Sequence, residues 1–139
     1  NDKQATGLVL YNLSFAQMMS DEFDVARTTA EKGLDLFVSM GDQRSQAQIM
    51  WTLSRIDQRL QDYQSAKEKG LVSLKICEEL GDKWGRIFLM QHLGEIYLNM
   101  EQPEDAHSIW HQALSFAKEN KHPLAASLQE RLDNLGNHF

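Results

Sequence analysis

The chain is 139 residues long, 42% apolar and 24% charged, the profile of an ordinary globular protein long enough to bury most of what its unfolded form exposes. Acidic residues outnumber basic ones 20 to 14, for a net charge of −6, which argues against a nucleic-acid or anionic-membrane surface because phosphate binding needs clustered Lys and Arg. No apolar run approaches the roughly 18 residues of a membrane span, no secretory leader is visible, and the lone Cys77 excludes an internal disulfide, so a cytoplasmic setting is expected.

Apolar residues recur at helical period throughout, and no sustained two-residue alternation marks a strand. Helices are expected near residues 2–19, 22–40, 42–60, 63–80, 82–100 and 103–120, with a last one over 123–136. The breaks between them have a mechanism. Gly41-Asp42 and Gly81-Asp82 read as a helix-ending glycine followed by an aspartate N-cap. Ser20-Asp21-Glu22, Gln61-Asp62 and Glu101-Gln102-Pro103 mark the shorter turns between, and Pro103 and Pro123 suit a first helical turn. Cys77, in the series Leu74, Cys77, Leu80, reads as a small core residue.

The same residue kinds return every 40 positions. Gly81-Asp82 falls on Gly41-Asp42, Met90 on Met50, Leu93 on Leu53, Ile96 on Ile56, Ala106 on Ala66 and Leu114 on Leu74; a second step back gives Asp2, Leu10, Leu13, Ala16, Ala26 and Leu34. A repeat of this length means stacked copies of a helix pair, each too small to bury its own apolar face. The expected organisation is one domain over 1–139, with repeats 1–40, 41–80 and 81–120 and a terminal helix. His122-Pro123 opens that helix, with Leu124, Leu128, Leu132 and Leu135 on one face and polar residues on the other. Two readings of it stay open: an end cap, or the first helix of a truncated fourth repeat. The start at Asn1-Asp2 without methionine reads as a piece of a longer protein.

The third copy reads Met90-x₂-Leu93-Gly94-x₂-Tyr97, then Ala106-x₃-Trp110. This resembles the tetratricopeptide repeat, with its W-x₂-L-G-x₂-Y…A-x₃-F pattern. Gly94, like Ser14 and Ser54, is small where the first helix of a pair must approach the second. Ala26, Ala66 and Ala106 are small where the second helix meets the next pair, and Leu13, Leu53 and Leu93 fill the space between. The first two copies depart from the pattern: Gln17 and Asp57 stand for the tyrosine, Ala30 and Gly70 for the last aromatic. The 40-residue period exceeds the family's usual length of about 34, which resembles a long-repeat subclass.

The resemblance implies an all-α solenoid, with a right-handed superhelical twist, that binds a protein or peptide in a groove lined by the first helix of each pair. Carried across residue by residue, that lining is Leu8, Tyr11, Asn12 and Phe15; Trp51, Thr52, Arg55 and Arg59; and Phe88, Gln91, His92 and Glu95. Met18 and Met19 join it or belong partly to the core. Large aromatics such as Phe15, Trp51 and Phe88 dominate interface energetics. Arg55 and Arg59, one turn apart, either fork onto a ligand carboxylate or pair with Asp57 or Glu95. Family members that hold an acidic chaperone tail use Lys with Asn or Arg at two groove positions. Here those positions are Leu8 and Asn12, Gln48 and Thr52, and Phe88 and His92, so such a tail is not expected.

Chemistry is thinly represented. His107 and His111 have metal-ligand spacing but no third ligand in the pattern, and no glycine-rich loop follows a strand. No enzyme activity, catalytic residue, cofactor or metal is expected. The sequence supports a non-catalytic scaffold for protein binding. The alternative is a regulatory or sensor arm of a larger signalling protein (an ATPase, kinase or transcription regulator), its groove contacting an effector domain or a small signal. Self-association through the end repeats is a third reading.

Overall fold

The computed structural model describes residues 2–136; Asn1 and residues 137–139 of the expected 1–139 span lie outside them. The described residues form seven helices and no strand: α1 (Asp2–Met19), α2 (Phe23–Met40), α3 (Gln43–Arg59), α4 (Tyr63–Leu80), α5 (Lys83–Asn99), α6 (Pro103–Glu119) and α7 (Ala125–Gly136). The chain divides into two compact units, Asn1–Ile76 and Cys77–Phe139, with α4 crossing the division.

One device closes the helices. Asp21, Gly41, Gln61, Gly81, Glu101 and Lys121 all have positive φ, between 51° and 71°, so a left-handed residue recurs every 20 positions. At each, backbone N–H groups reach back to the carbonyls that the ending helix leaves open. Gly41 N donates to Val38 O and Asp42 N to Phe37 O, both at 3.0 Å; Glu22 N donates to Gln17 O at 2.9 Å and Asp62 N to Asp57 O at 2.8 Å. The next helix is then capped: Asp42 Oδ1 accepts from Ser45 N at 3.1 Å and Asp82 Oδ1 from Gly85 N at 2.9 Å.

In the first unit α1 packs on α2 and α2 on α3. Met18, Ala26, Ala30, Phe37, Ile49, Leu53 and Ile56 form its core, flanked by Tyr11, Phe23, Leu34, Met40 and Leu60. The small residues set the helix spacing. A Cβ on Gly7 would meet the Phe37 ring at 2.7 Å, and one on Gly33 would meet Ile49 Cδ1 at 2.6 Å. Between α3 and α4 the Ser54 hydroxyl donates to Ala66 O and the Ser73 hydroxyl to Ala47 O, each at 2.7 Å. Asp57, with no exposed side-chain area, accepts from Arg27 of α2 at 2.9 Å and from Ser65 and Lys69 of α4 at 2.7 and 2.5 Å. One carboxylate thereby ties three helices together.

In the second unit α5 packs on α6 and α6 on α7, around Ile87, Met90, Leu93, Ile96, Trp110, Leu128 and Leu132. Gly94 lies under the indole of Trp110, which occupies the space a side chain would need. Trp110 Nε1 donates to Gln91 O at 2.9 Å. Glycine and tryptophan thus replace the small pairs Ser14/Ala30 and Ser54/Gly70 of the earlier copies.

Three expectations need correction. Leu13 does not fill a gap as Leu53 and Leu93 do: it is 46% exposed where they are fully buried, because α2 covers α3 while the same flank of α1 faces solvent. Leu80 is exposed, not core. The last helix starts at Ala125 and not at residue 123. His122, Pro123 and Leu124 form a turn instead, in which Leu124 N donates to His122 Nδ1 at 3.0 Å.

Candidate protein-interaction surface

In the first unit the candidate residues come from α1 and α3. Leu8, Phe15 and Met19 of α1 are exposed, whereas Met18 is buried. From Gln4 to its end at Met19 this helix carries no charged residue. A helix this apolar around its girth is normally covered, and here much of it is not. Tyr11 leans onto the core cluster, and Asn12 is exposed. On α3, Trp51 is partly buried and the Arg55 guanidinium lies 4.9 Å from its ring centroid, a cation–π stack that holds the long side chain flat along the surface.

The structure separates the arginine pair. Arg59 lies 4.9 Å over the Phe23 ring and 3.7 Å from Asp21, so it belongs to the α1–α2 turn and not with Arg55. Neither pairs with Asp57, whose partners are Arg27 and Lys69, nor with Glu95, whose partner is Arg131 at 2.6 Å. Thr52 is fully buried, its hydroxyl donating to Gln48 O at 3.3 Å, and leaves the exposed lining for that reason.

In the second unit α7 takes up part of the expected lining. Gln91 Oε1 accepts from Ser127 at 3.3 Å and Glu95 is bound to Arg131, which also stands 5.7 Å from the Trp110 ring. His92 is buried and is likewise removed. Phe88 remains exposed and joins a cluster that the sequence reading missed. His122 is only 3% exposed, with the Trp84 ring centroid at 4.2 Å and the Phe88 centroid at 5.6 Å, edge-on. Its Nδ1 accepts from Leu124, so its proton sits on Nε2, which has no hydrogen-bond acceptor; burial lowers its pKa below the ordinary 6.5. One signal was available: Trp84 stands, 53% exposed, where the other copies carry Gln4 and Arg44.

Reactive groups do not converge. The His107 and His111 rings lie 6.1 Å apart on α6, and among the described residues no group of three His, Cys, Asp or Glu is placed to hold a metal. Burial, and then the nearby Asp105, raises the pKa of Tyr97, the residue at the Asp57 position of this copy. No helix among the described residues is long and apolar enough to cross a membrane.

This fold is an all-α helical-repeat solenoid of the tetratricopeptide type. RapI, in its apo form, is similar over 99% of the chain with a TM-score of 0.90 at 15% identity. The TPR domain of Arabidopsis FLU matches 84% of the chain and 98% of its own length (TM-score 0.79, 16% identity). SycD, the type III secretion translocator chaperone of Yersinia enterocolitica, matches 97% and 86% (0.76, 18%). The chain spans only 39% of the RapI length. No protein-family model matches the sequence, nor does any of the curated proteins compared with it.

Proposed function

We propose that the chain is a non-catalytic protein-interaction module that holds a peptide or protein segment against α1 and α3, the first helices of its first two repeats. One observation carries this reading: helix α1, free of charge from Gln4 onward, leaves Leu8, Phe15 and Met19 in solvent, beside an α3 on which Arg55 is stacked over Trp51. Rigid aromatic groups with a pre-placed guanidinium lose little side-chain entropy on binding, which is why Trp, Tyr and Arg dominate contact energetics. The fitting partner is an apolar segment with an acidic or carbonyl group for Arg55. The likeness to SycD, a translocator chaperone, supports a protein partner.

The regulatory-arm reading is favoured by the match to RapI, a chain more than twice as long; there the same surface would contact an effector domain. A peptide-display selection separates the two. Peptides that share a motif and are lost on a folded Phe15→Ala, Arg55→Ala variant establish open recognition. No enrichment on a fully helical protein favours an internal contact.

A further inference from the structure

The 40-residue register compares the outer flank of α1 with a surface whose occupant is visible. On α3 that flank is Ile49, Leu53 and Ile56, all fully buried where α2 packs on α3, with Met18 of α1 at its edge; Ile49 lies against Gly33 of α2. Stepping back 40 positions gives Val9, Leu13 and Ala16 on α1. Val9 is 63% and Leu13 46% exposed, and Ala16 is exposed too. The face is apolar, uncharged and shaped by the same helix geometry.

A polar atom points to the same occupant. Asp57 receives Arg27 from the covering helix α2 and Ser65 and Lys69 from its own pair. The residue at the Asp57 position of α1 is Gln17, whose Oε1 is buried without a hydrogen-bond partner. Its own pair offers Val25 and Thr29 where the second copy has Ser65 and Lys69. The Thr29 hydroxyl, although a donor, does not bond it, and the donor that Asp57 receives from its covering helix has no counterpart among the described residues. A buried acceptor left unpaired is unfavourable.

We propose that the outer flank of α1 is a docking face for one amphipathic helix of α2 chemistry: a stripe of Ala, Gly and aliphatic residues to lie on Val9, Leu13 and Ala16, and one side-chain donor at the Arg27 position to reach Gln17. This face is distinct from the one that holds Phe15 and Arg55, and the two are tested separately. Val9 is a methylene smaller than Ile49, Leu13 equals Leu53, and Ala16 is much smaller than Ile56, so the face accepts side chains as large as those of α2 without overpacking and a larger one over Ala16.

The probe is a peptide of residues 22–41, held helical by a lactam between Asp24 and Thr28→Lys, both exposed on α2, and titrated onto the full chain. Binding should slow amide hydrogen exchange along α1. Leu13→Arg, at a half-exposed position, should leave the melting temperature unchanged and weaken binding by about tenfold or more, because it sets a charge into an apolar seam. Replacing the peptide's Arg27 by Ala should weaken binding several-fold on the wild-type chain and not on Gln17→Leu, which has no acceptor to satisfy. Three results overturn the proposal: no binding up to about millimolar peptide, binding indifferent to Leu13→Arg, or a wild-type chain that sediments as a dimer lost on Leu13→Arg, which would make a second copy the occupant.

Discussion

The carboxylate of Asp57 and the guanidinium of Arg27 meet at 2.9 Å across the α2–α3 seam, with the Asp57 side chain wholly out of solvent. The position belongs to an aromatic in the repeat pattern and is held by Tyr97 in the third copy. A buried charge here is tolerable only because Lys69 and Ser65 complete its hydrogen bonds. Arg27 and Lys69 are themselves about a quarter to a third exposed, so solvent screens each pair and limits its worth. Removing one cation by Arg27→Met or Lys69→Met should cost about 1–2 kcal/mol, since the other still neutralises the carboxylate. Removing both should cost more than the sum by roughly 1 kcal/mol or more, because Asp57 is then buried without a counter-charge. Urea unfolding of the four proteins measures this; additive costs would show that the network is not coupled.

Gly94→Ala should destabilise the second unit although alanine is the better helix former. The propensity gain is about 1 kcal/mol. Against it, the new methyl falls within the Trp110 indole, which cannot retreat without losing its bond to Gln91 O. Overpacking of this kind costs about 1–3 kcal/mol and the lost hydrogen bond about 1. The net loss expected in denaturant is about 2 kcal/mol, recovered in part by pairing the change with Trp110→Phe. A neutral Gly94→Ala would show that the contact yields easily.

His122 should make the fold acid-sensitive. Burial between Trp84 and Phe88 holds its pKa below the ordinary 6.5, and protonation also removes the Nδ1 acceptor of Leu124 N. The unfolded chain therefore takes up the proton first as pH falls. The contribution is fully present above about pH 6.5 and is lost as pH drops through that value toward the lower folded pKa. Denaturant midpoints at about pH 7.5 and 5 should differ more for the wild type than for His122→Asn. Equal pH dependence in the two proteins would remove His122 from this role.

Lys121→Gly should stabilise the chain. Lys121 holds a φ of 51° at the position where the earlier copies place Gly41 and Gly81. A left-handed conformation costs a lysine about 1 kcal/mol that glycine does not incur, partly offset by glycine's greater unfolded-state entropy. The net expected gain is about 0.5 kcal/mol, read in thermal or urea unfolding. A loss would mean that the Lys121 side chain contributes to the α6–α7 turn.

The repeat was legible because packing residues must recur at fixed spacing: Leu53 and Leu93, Ala66 and Ala106 announce the helix pairs before any coordinates. The 20-residue rhythm of left-handed turns was mostly hidden, since Asp21, Gln61, Glu101 and Lys121 carry no glycine signal and only Gly41 and Gly81 do. Burial at single positions was harder, because it depends on the neighbouring helix and not on residue type. Thr52 and His92 follow the groove register and are buried, while Leu13 follows the core register and is exposed. Glu95 looked free for a ligand until α7 brought Arg131 to it. The late start of α7 turns on an imidazole acting as a cap, for which the sequence offers no pattern.

The most direct measurement is titration calorimetry of a display-selected peptide against the wild type, Phe15→Ala and Leu13→Arg, all three first shown to be fully helical. Binding through the exposed face of α1 requires Phe15→Ala to weaken affinity by about tenfold or more, with Leu13→Arg unchanged. Affinity that survives Phe15→Ala would contradict recognition through this surface.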